Sequence, residues 1–318
     1  MVKKYIGIDI GGTDIKGAII DQNGLMLTKD KTATQVPLGA EQVVKNIAAL
    51  TARLLDQAGL RAGDVEGIGI GIPGVVDVDA GVVRYANNLH WDNLPIAAMM
   101  RAYYDLPVCV IDDATAAGAG EARFGAGRQY RDMVLLTLGT GLGGAIVLDG
   151  RLVGNKRGTG AEIGHTVIEA GGWPCSCGRR GCFECYSSAT GLIKKAKEMA
   201  SSHPESRMWD KLEKRDLANM TAKIPFDCKE EDETASQVVD WYIRYLAEGV
   251  TNVANFLRPE VILLGGGVSQ AREEHLIVPL REKVAAMIFG GANSPQVHIV
   301  KAALGNDAGV YGAAAMLF

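Results

Sequence analysis

Two stretches of this chain repeat one layout. Residues 5–28, YIGIDIGGTDIKGAIIDQNGLMLT, and 133–153, MVLLTLGTGLGGAIVLDGRLV, each run apolar β-formers into a glycine turn, then more β-formers into an Asn-Gly or Asp-Gly turn, then a third extended segment. That is the pattern of a three-stranded antiparallel meander. A supersecondary unit that occurs twice predicts two similar α/β domains, each offering a glycine turn to a shared cleft. At 318 residues the chain has room for two domains of ordinary size.

The remaining segments fit that plan. An apolar face of Val43, Val44, Ile47, Leu50, Leu54 and Leu55, stopped by Gly59, predicts a helix near 41–58. EGIGIGIPG (66–74) and PVCVI (107–111) read as strands, with a helix opening at Pro95 between them and the small-residue helix DDATAAGAGEARFG after them. Further on, helices near 189–202, 234–257 and 272–288 alternate with the strands VILLGGGVS and VHIVKA, and a last helix starts at Asp307. The acidic KEEDE at 229–233 reads as a solvated helix start.

Composition excludes several classes. With 47% hydrophobic and 22% charged residues the chain can bury a sizeable core, and a net charge of -4 gives no footprint for nucleic acid or an anionic membrane. No uninterrupted apolar run reaches the roughly 18 residues needed to cross a bilayer. Met1-Val2-Lys3-Lys4 leads straight into a strand rather than a signal peptide, so a cytoplasmic location is expected. The six cysteines then read as thiols and metal ligands instead of disulfides, with Cys109 and Cys228 structural.

Gly139, Gly141 and Gly144 satisfy G-x-G-x-x-G, yet a dinucleotide fold requires a helix next, and AIVLDG reads as a strand and a hairpin turn. A protein kinase would need H-R-D and D-F-G, and neither occurs. Three glycine clusters together say more. DIGGT with Gly11 and Gly12, LGTGLGG with Gly139 and Gly141, and LLGGGVS with Gly265, Gly266 and Gly267 each follow an apolar strand. Glycine lets a backbone approach a polyphosphate and aim N–H groups at it. Asp9 suits Mg²⁺, directly or through water, and Thr13, Thr140 and Lys16 add donors or charge. The set describes an ATP clamp. Asp113 stands just past the end of a buried strand, where open α/β sheets place their chemistry.

EIGHTVIEAGGWPCSCGRRGCFEC, residues 162–185, holds one histidine and four cysteines. Ligand spacing identifies a metal and not a purpose, so a zinc module, a redox centre and a share in another active site all remain open.

DIGGTDIKGAI, GIGIPGVVD, LGTGLGGAIVLDGRLVGNKRGTGAEIGH and CSCGRRGCFE together resemble the ROK family of repressors, open reading frames and sugar kinases. The resemblance implies an α/β fold of two RNase-H-like lobes, of the actin, hexokinase and Hsp70 type, with an interlobe active-site cleft. It implies a small lobe at 1–114, on which a C-terminal helix at about 304–318 packs back, and a large lobe at 115–303 with a zinc-binding loop at 165–182. It also implies ATP with Mg²⁺ and transfer of a phosphoryl group to a hexose hydroxyl, usually at C6. Asp113 matches the family's general base. Gly74 matches a loop beneath the sugar, and Asp112, Glu162, His165 and Glu184 match positions that bond sugar hydroxyls. His165, Cys175, Cys177 and Cys182 match the family's structural zinc ligands, which leaves Cys185 outside the set.

One departure bears on substrate. Asp112 and Thr115 stand where the family usually has Asn, and an ionised Asp can only accept a hydrogen bond. EIGH and CxCGxxGCxE are similar to the glucokinase version, which favours glucose, with N-acetylmannosamine, allose or another hexose as the alternative. A non-catalytic sugar-sensing regulator is the reading from another class. Against it, the family's DNA-binding helix-turn-helix has no place ahead of the turn at 9–13, and no basic stripe is present. A homodimer or homotetramer is the assembly the resemblance implies.

Overall fold

The computed structural model describes residues 2–153 and 161–318, so the GNKRGTG part of the second motif lies outside the described residues. Two compact units divide the chain. The first comprises Met1–Leu135, Gly144–Ala161 and Ala302–Phe318, and the second Leu136–Gly143 and Glu162–Lys301.

The first meander forms as expected. β1 (Lys4–Ile10) pairs antiparallel with β2 (Asp14–Asp21), and β2 with β3 (Met26–Ala33). After α1 (Ala40–Gln57), β4 (Ile68–Ile72) adds to β1 in parallel. A small sheet of β5 (Val75–Asp77), β6 (Val82–Ala86) and β7 (Trp91–Leu94) intervenes, then α2 (Ile96–Arg101). β8 (Val108–Asp112) closes the order β3-β2-β1-β4-β8. Along β1 the side chains alternate. Ile6, Ile8 and Ile10 enter the core with Val43, Val44, Ile47, Leu50 and Leu54 of α1, while Tyr5 packs on the other face.

That other face is covered by α3 (Asp113–Phe124) and the last helix, α9 (Ala308–Ala315). Here α9 lies on bare backbone. A Cβ on Gly7 would stand 2.0 Å from the Val310 carbonyl oxygen, and one on Gly69 1.8 Å from that of Ala313. Gly312 lets α9 touch α3 in the same way, 1.5 Å from the Ala116 oxygen. The expected boundary at 114/115 therefore falls at the start of a helix that belongs with the first unit.

The second meander yields a sheet of the same plan, order β11-β10-β9-β12-β13, from β9 (Met133–Leu138), β10 (Leu142–Leu148), β11 (Arg151–Leu152), β12 (Val261–Gly265) and β13 (His298–Lys301). Its helices gather round α7 (Glu233–Leu257), which packs on α4 (Phe183–Ser187), α5 (Ala189–Ser202), α6 (Lys223–Cys228) and α8 (Glu273–Met287). Among the described residues no helix is long and apolar enough to cross a membrane.

The acidic start of α7 is less solvated than its composition suggests. Asp232 is 9% exposed; its carboxylate accepts from the Thr234 N–H at 2.9 Å and the Ser206 hydroxyl at 2.5 Å. Asp232→Ala removes this cap and leaves buried donors unpaired, so a loss of about 1–2 kcal/mol is expected in denaturant unfolding. An unchanged midpoint would contradict the capping role.

Candidate active site

The first unit brings Asp9, the turn at 11–13, Lys16, Asp112 and Asp113 to one edge of its sheet. Asp9 sits so near the first turn of α9 that a Cβ on Gly309 would stand 2.8 Å from its carboxyl carbon. Burial pushes the Asp9 carboxyl up; Lys16, its cross-strand partner, opposes that rise and Asp307 adds to it. A divalent cation would return such a group to its charged form. Asp307 and Gly309 carry no motif signal, because what matters is where α9 lands.

In the turn, the Gly11 N–H donates to the Asp14 oxygen at 2.9 Å, and the Thr34 hydroxyl to the Gly11 oxygen at 2.7 Å. Gly12 and Thr13 are exposed, and a Cβ on Gly12 would meet no protein atom within 4 Å. Packing does not demand glycine there, whereas a ligand lying against the backbone does. Gly74 is the opposite case. Its φ is +132°, and a Cβ would stand 2.2 Å from the Tyr85 oxygen, so the small sheet itself requires glycine.

Parallel register aligns Asp9 with Gly71 and Gly71 with Ile111, which puts Asp112 and Asp113 just beyond Asp9 along the sheet. β1 and β8 are two strand spacings apart, about 10 Å. Asp112 is the N-cap of α3 and accepts the Thr115 N–H at 2.9 Å. Burial also pushes its carboxyl up. Asp113 has an exposed surface while protein atoms occupy most of the volume around it. Water reaches the carboxylate, but the surroundings are not bulk water. That desolvation comes first, then the charges of Asp112 and Asp9, in raising its carboxyl to about 6. A carboxylate tuned toward neutral pH and still accessible is suited to general-base work.

In the second unit, the turn at 139–141 is braced from two sides. The Gly139 N–H donates to the Gly141 oxygen at 3.0 Å, a bond one residue tighter than that of Gly11, and Thr140 is exposed. A Cβ on Gly139 would meet only the Gly141 oxygen, at 3.9 Å. The Glu184 carboxylate accepts the Leu142 N–H at 3.0 Å and lies where a Cβ on Gly141 would come within 2.5 Å of it. On the same residue, a Cβ on Gly164 would stand 2.1 Å from the Leu142 oxygen, so the E-I-G-H turn carrying Glu162 and His165 rests directly on the start of β10. The glycine turn, the E-I-G-H turn and Glu184 are therefore one contiguous neighbourhood.

His165, Cys175, Cys177 and Cys182 converge, with one ligand atom from each lying within 4.8 Å of the others. Tetrahedral zinc with Zn–S of about 2.3 Å and Zn–N of about 2.0–2.1 Å requires S···N of about 3.6 Å and S···S of about 3.8 Å. The structure has Cys175 Sγ 3.5 Å from His165 Nδ1 and Cys177 Sγ 3.7 Å from Cys182 Sγ. These distances fit ligands on one ion and are far too long for a disulfide of about 2.05 Å. Without a cation, burial and the neighbouring thiols push Cys182 up to about 12. Cys185 is not among the four; its thiol stands beside Cys175 and donates to the Pro174 oxygen at 3.5 Å. Two residues on from Cys182, Glu184 holds the glycine turn, and between them Phe183 is fully buried.

The third glycine cluster ends β12. Gly266, with φ +81°, lies against the Leu138 backbone; Gly267 is exposed with nothing near its Cβ position. Beside Gly267 opens a cavity of about 330 Å³ lined by Phe226, Asp227, Glu230, Gln270, Arg272 and His275, among others. Glu230 lies 3.0 Å from His275 Nε2 and pairs with Arg272 at 3.1 Å. These residues come from α6, the loop before α7 and the start of α8, and no local spacing marks them as a group.

Two sheets of identical order, each with a glycine turn after its first strand, and a carboxylate pair at the strand ends define a two-lobed α/β protein of the actin and hexokinase type. The chain belongs to the ROK family, whose profile matches residues 5–318. A glucokinase from Halalkalibacterium halodurans is 38% identical over 311 residues, 97% of this chain and 93% of its own length. One from Thermotoga maritima is 35% identical, covering 99% and 97%. The crystal structure of a ROK family glucokinase from Streptomyces griseus in complex with glucose and AMPPNP superposes with a TM-score of 0.84 at 34% identity, covering 99% of each chain.

Proposed function

We propose that this protein transfers the γ-phosphoryl group of ATP to a hexose hydroxyl, glucose at C6 before any other, with Asp113 as general base. The observation that carries the reading is Asp113 itself: an accessible carboxylate at a strand end, raised to about 6 by its surroundings. Full-length similarity to glucokinases supports the substrate. Asp113 takes the proton of the attacking hydroxyl. Because the transition state of phosphoryl transfer is loose, positioning and charge neutralisation supply most of the rest. Of the residues we assign to ATP, Asp9, Gly11, Gly12, Thr13 and Lys16 lie in the first unit and Gly139, Thr140, Gly141, Gly265, Gly266 and Gly267 in the second. The cavity beside Gly267 suits the nucleoside end. Mg²⁺ bound with ATP would neutralise phosphate charge, with Asp9 its holder on the protein.

Gly74, Asp112, Glu162, His165 and Glu184 are assigned to the sugar. His165 turns Nδ1 toward the sulfurs, which leaves Nε2 for a hydroxyl, the usual way a metal-bound imidazole is oriented through its second nitrogen. Zinc on His165, Cys175, Cys177 and Cys182 would be structural, since four protein ligands leave no open position. A cytoplasmic dimer or tetramer remains the expected setting.

A coupled assay of ATP consumption across hexoses and N-acetylhexosamines tests the reading, and glucose should give the highest kcat/KM. A maximum with N-acetylmannosamine or allose would establish the second reading, which Asp112 keeps open. That residue spends one oxygen capping α3, as Asn would, but ionised it offers the sugar no donor. Asp112→Asn should be at least as thermally stable as the parent near neutral pH, because the cap survives and a buried charge beside Asp113 is removed. It should also move the acid limb of the rate profile to lower pH, because a like charge beside Asp113 is gone. An unmoved limb would show that Asp112 carries no charge there.

A further inference from the structure

The first unit carries a second concave site, at the far end of the helix that begins with Asp113. An open cavity of about 830 Å³ is lined by the C-terminal parts of α3 and α9, the β2–β3 turn, and the β10–β11 hairpin at Gly150 and Leu152. Its size falls in the range of small-molecule sites, about 300–1,000 Å³. The charged residues lining it are Arg123 and Arg128, with no Asp or Glu among the described residues. Neither guanidinium makes an ion pair among the described residues. The Arg123 guanidinium carbon stands 3.8 Å from the centre of the Phe318 ring, a cation–π contact that uses none of its N–H donors.

The floor is aromatic and fixed. Phe124 packs against Tyr311 at 5.5 Å and Phe318 at 5.7 Å, and Phe318 stacks on Tyr5 at 4.1 Å. Gly24 presses on Phe124, where a Cβ would stand 2.6 Å from the ring, and the Tyr311 hydroxyl donates to the Gly24 oxygen at 3.3 Å. Gln22 and Asn23 also line the cavity. In a chain of net charge -4, a pocket lined by two guanidiniums outside any ion pair and by no Asp or Glu side chain favours a dianion.

We propose that this cavity is a binding site for a phosphorylated sugar, distinct from the site of Asp113. The phosphate takes the free edges of Arg123 and Arg128, the C–H face of the sugar ring lies on the aromatic floor, and its hydroxyls meet Gln22 and Asn23. The choice of sugar rests on the kinase reading, since that reaction makes such a compound. Ten residues of α3, about 15 Å, separate Arg123 from Asp113. α3 and α9 touch backbone to backbone at Gly120 and Gly312, so a ligand here loads the helices that present Asp113 and flank Asp9 without contacting either.

The test is calorimetric titration of the full chain with glucose 6-phosphate while glucose and a non-hydrolysable ATP analogue are saturating. One equivalent should still bind, and Arg128→Ala and Arg123→Ala should each weaken it at least tenfold. Inorganic phosphate and glucose alone should bind at least tenfold more weakly than the sugar phosphate. Loss of all binding under these conditions overturns the site. So does unchanged affinity in a double arginine variant whose thermal unfolding matches the parent. Phosphate binding as tightly as glucose 6-phosphate overturns the sugar assignment. Turnover on glucose, measured on the same samples and unchanged in Arg128→Ala, reports separately on the kinase reading.

Discussion

Asp113→Asn is expected to lower glucose phosphorylation by about 10²–10⁴-fold while glucose still binds. Asn keeps the size of the side chain, and its oxygen can still accept the Ala114 N–H that Asp113 takes at 2.8 Å. What it loses is the ability to take a proton. The parent's kcat/KM should climb as pH rises through about 6 and level off above, because only the ionised carboxyl serves as base. Stability should move the other way. A carboxyl raised from its ordinary value to about 6 in the folded state favours the protonated form, so its contribution is full below the unfolded pKa and lost as pH rises through about 6. At pH 7–8 the parent therefore carries an unfavourable charge beside Asp112 and Asp9 that the variant lacks. Asp113→Asn should melt higher than the parent at pH 8, with no difference near pH 3. Turnover within a few-fold of the parent would remove Asp113 from the base role, and a variant less stable at pH 8 would contradict the electrostatic account.

Stripping the metal is the second change with a large expected effect. Structural zinc in peptides is worth roughly 10–16 kcal/mol of apparent binding energy. This loop does not rest on its ligands alone. Trp173 stacks on Tyr186 at 5.0 Å, Tyr186 on Tyr245 at 4.4 Å, and the Trp173 N–H donates to the Tyr186 hydroxyl at 2.7 Å. The aromatic anchor on α7 should hold, while the segment around Cys175, Cys177 and the E-I-G-H turn loosens. We expect verified metal-free protein to melt lower and to lose glucose affinity at least tenfold. It should also exchange amide hydrogens faster at 165–182 than in α7. ATP-analogue binding should weaken too, since Glu184 is two residues from Cys182 and braces the glycine turn. Glucose affinity unchanged without metal would detach the zinc site from the sugar.

What was legible in the sequence was local. Both meanders follow from runs of apolar β-formers broken by glycine, Asn-Gly and Asp-Gly turns, and α1 from its apolar face. The His/Cys cluster was legible because three of its members lie within eight residues. The small sheet at 75–94 was not, because its strands are only three to five residues long, giving periodicity too little length to register. Nor was the partner of Glu184. It was read by resemblance as a sugar contact, and its bond to Leu142 spans 42 positions. The buried cap at Asp232 was hidden in a run of charges that looked solvated. The two cavities escape any local reading, since each is assembled from several distant segments.

The backbone-on-backbone seat of α9 also has a consequence in time. β1 and β4 leave the ribosome early, with Gly7 and Gly69 bare on the face that α9 covers. Residues 302–318 arrive only after the second unit has been made, a wait on the order of ten seconds at about 5–20 residues per second. During that interval the part of the sheet face that α9 covers is open to every other nascent chain. Expression yield should therefore depend on chaperones that shield sheet surfaces, and most strongly when elongation is slowed.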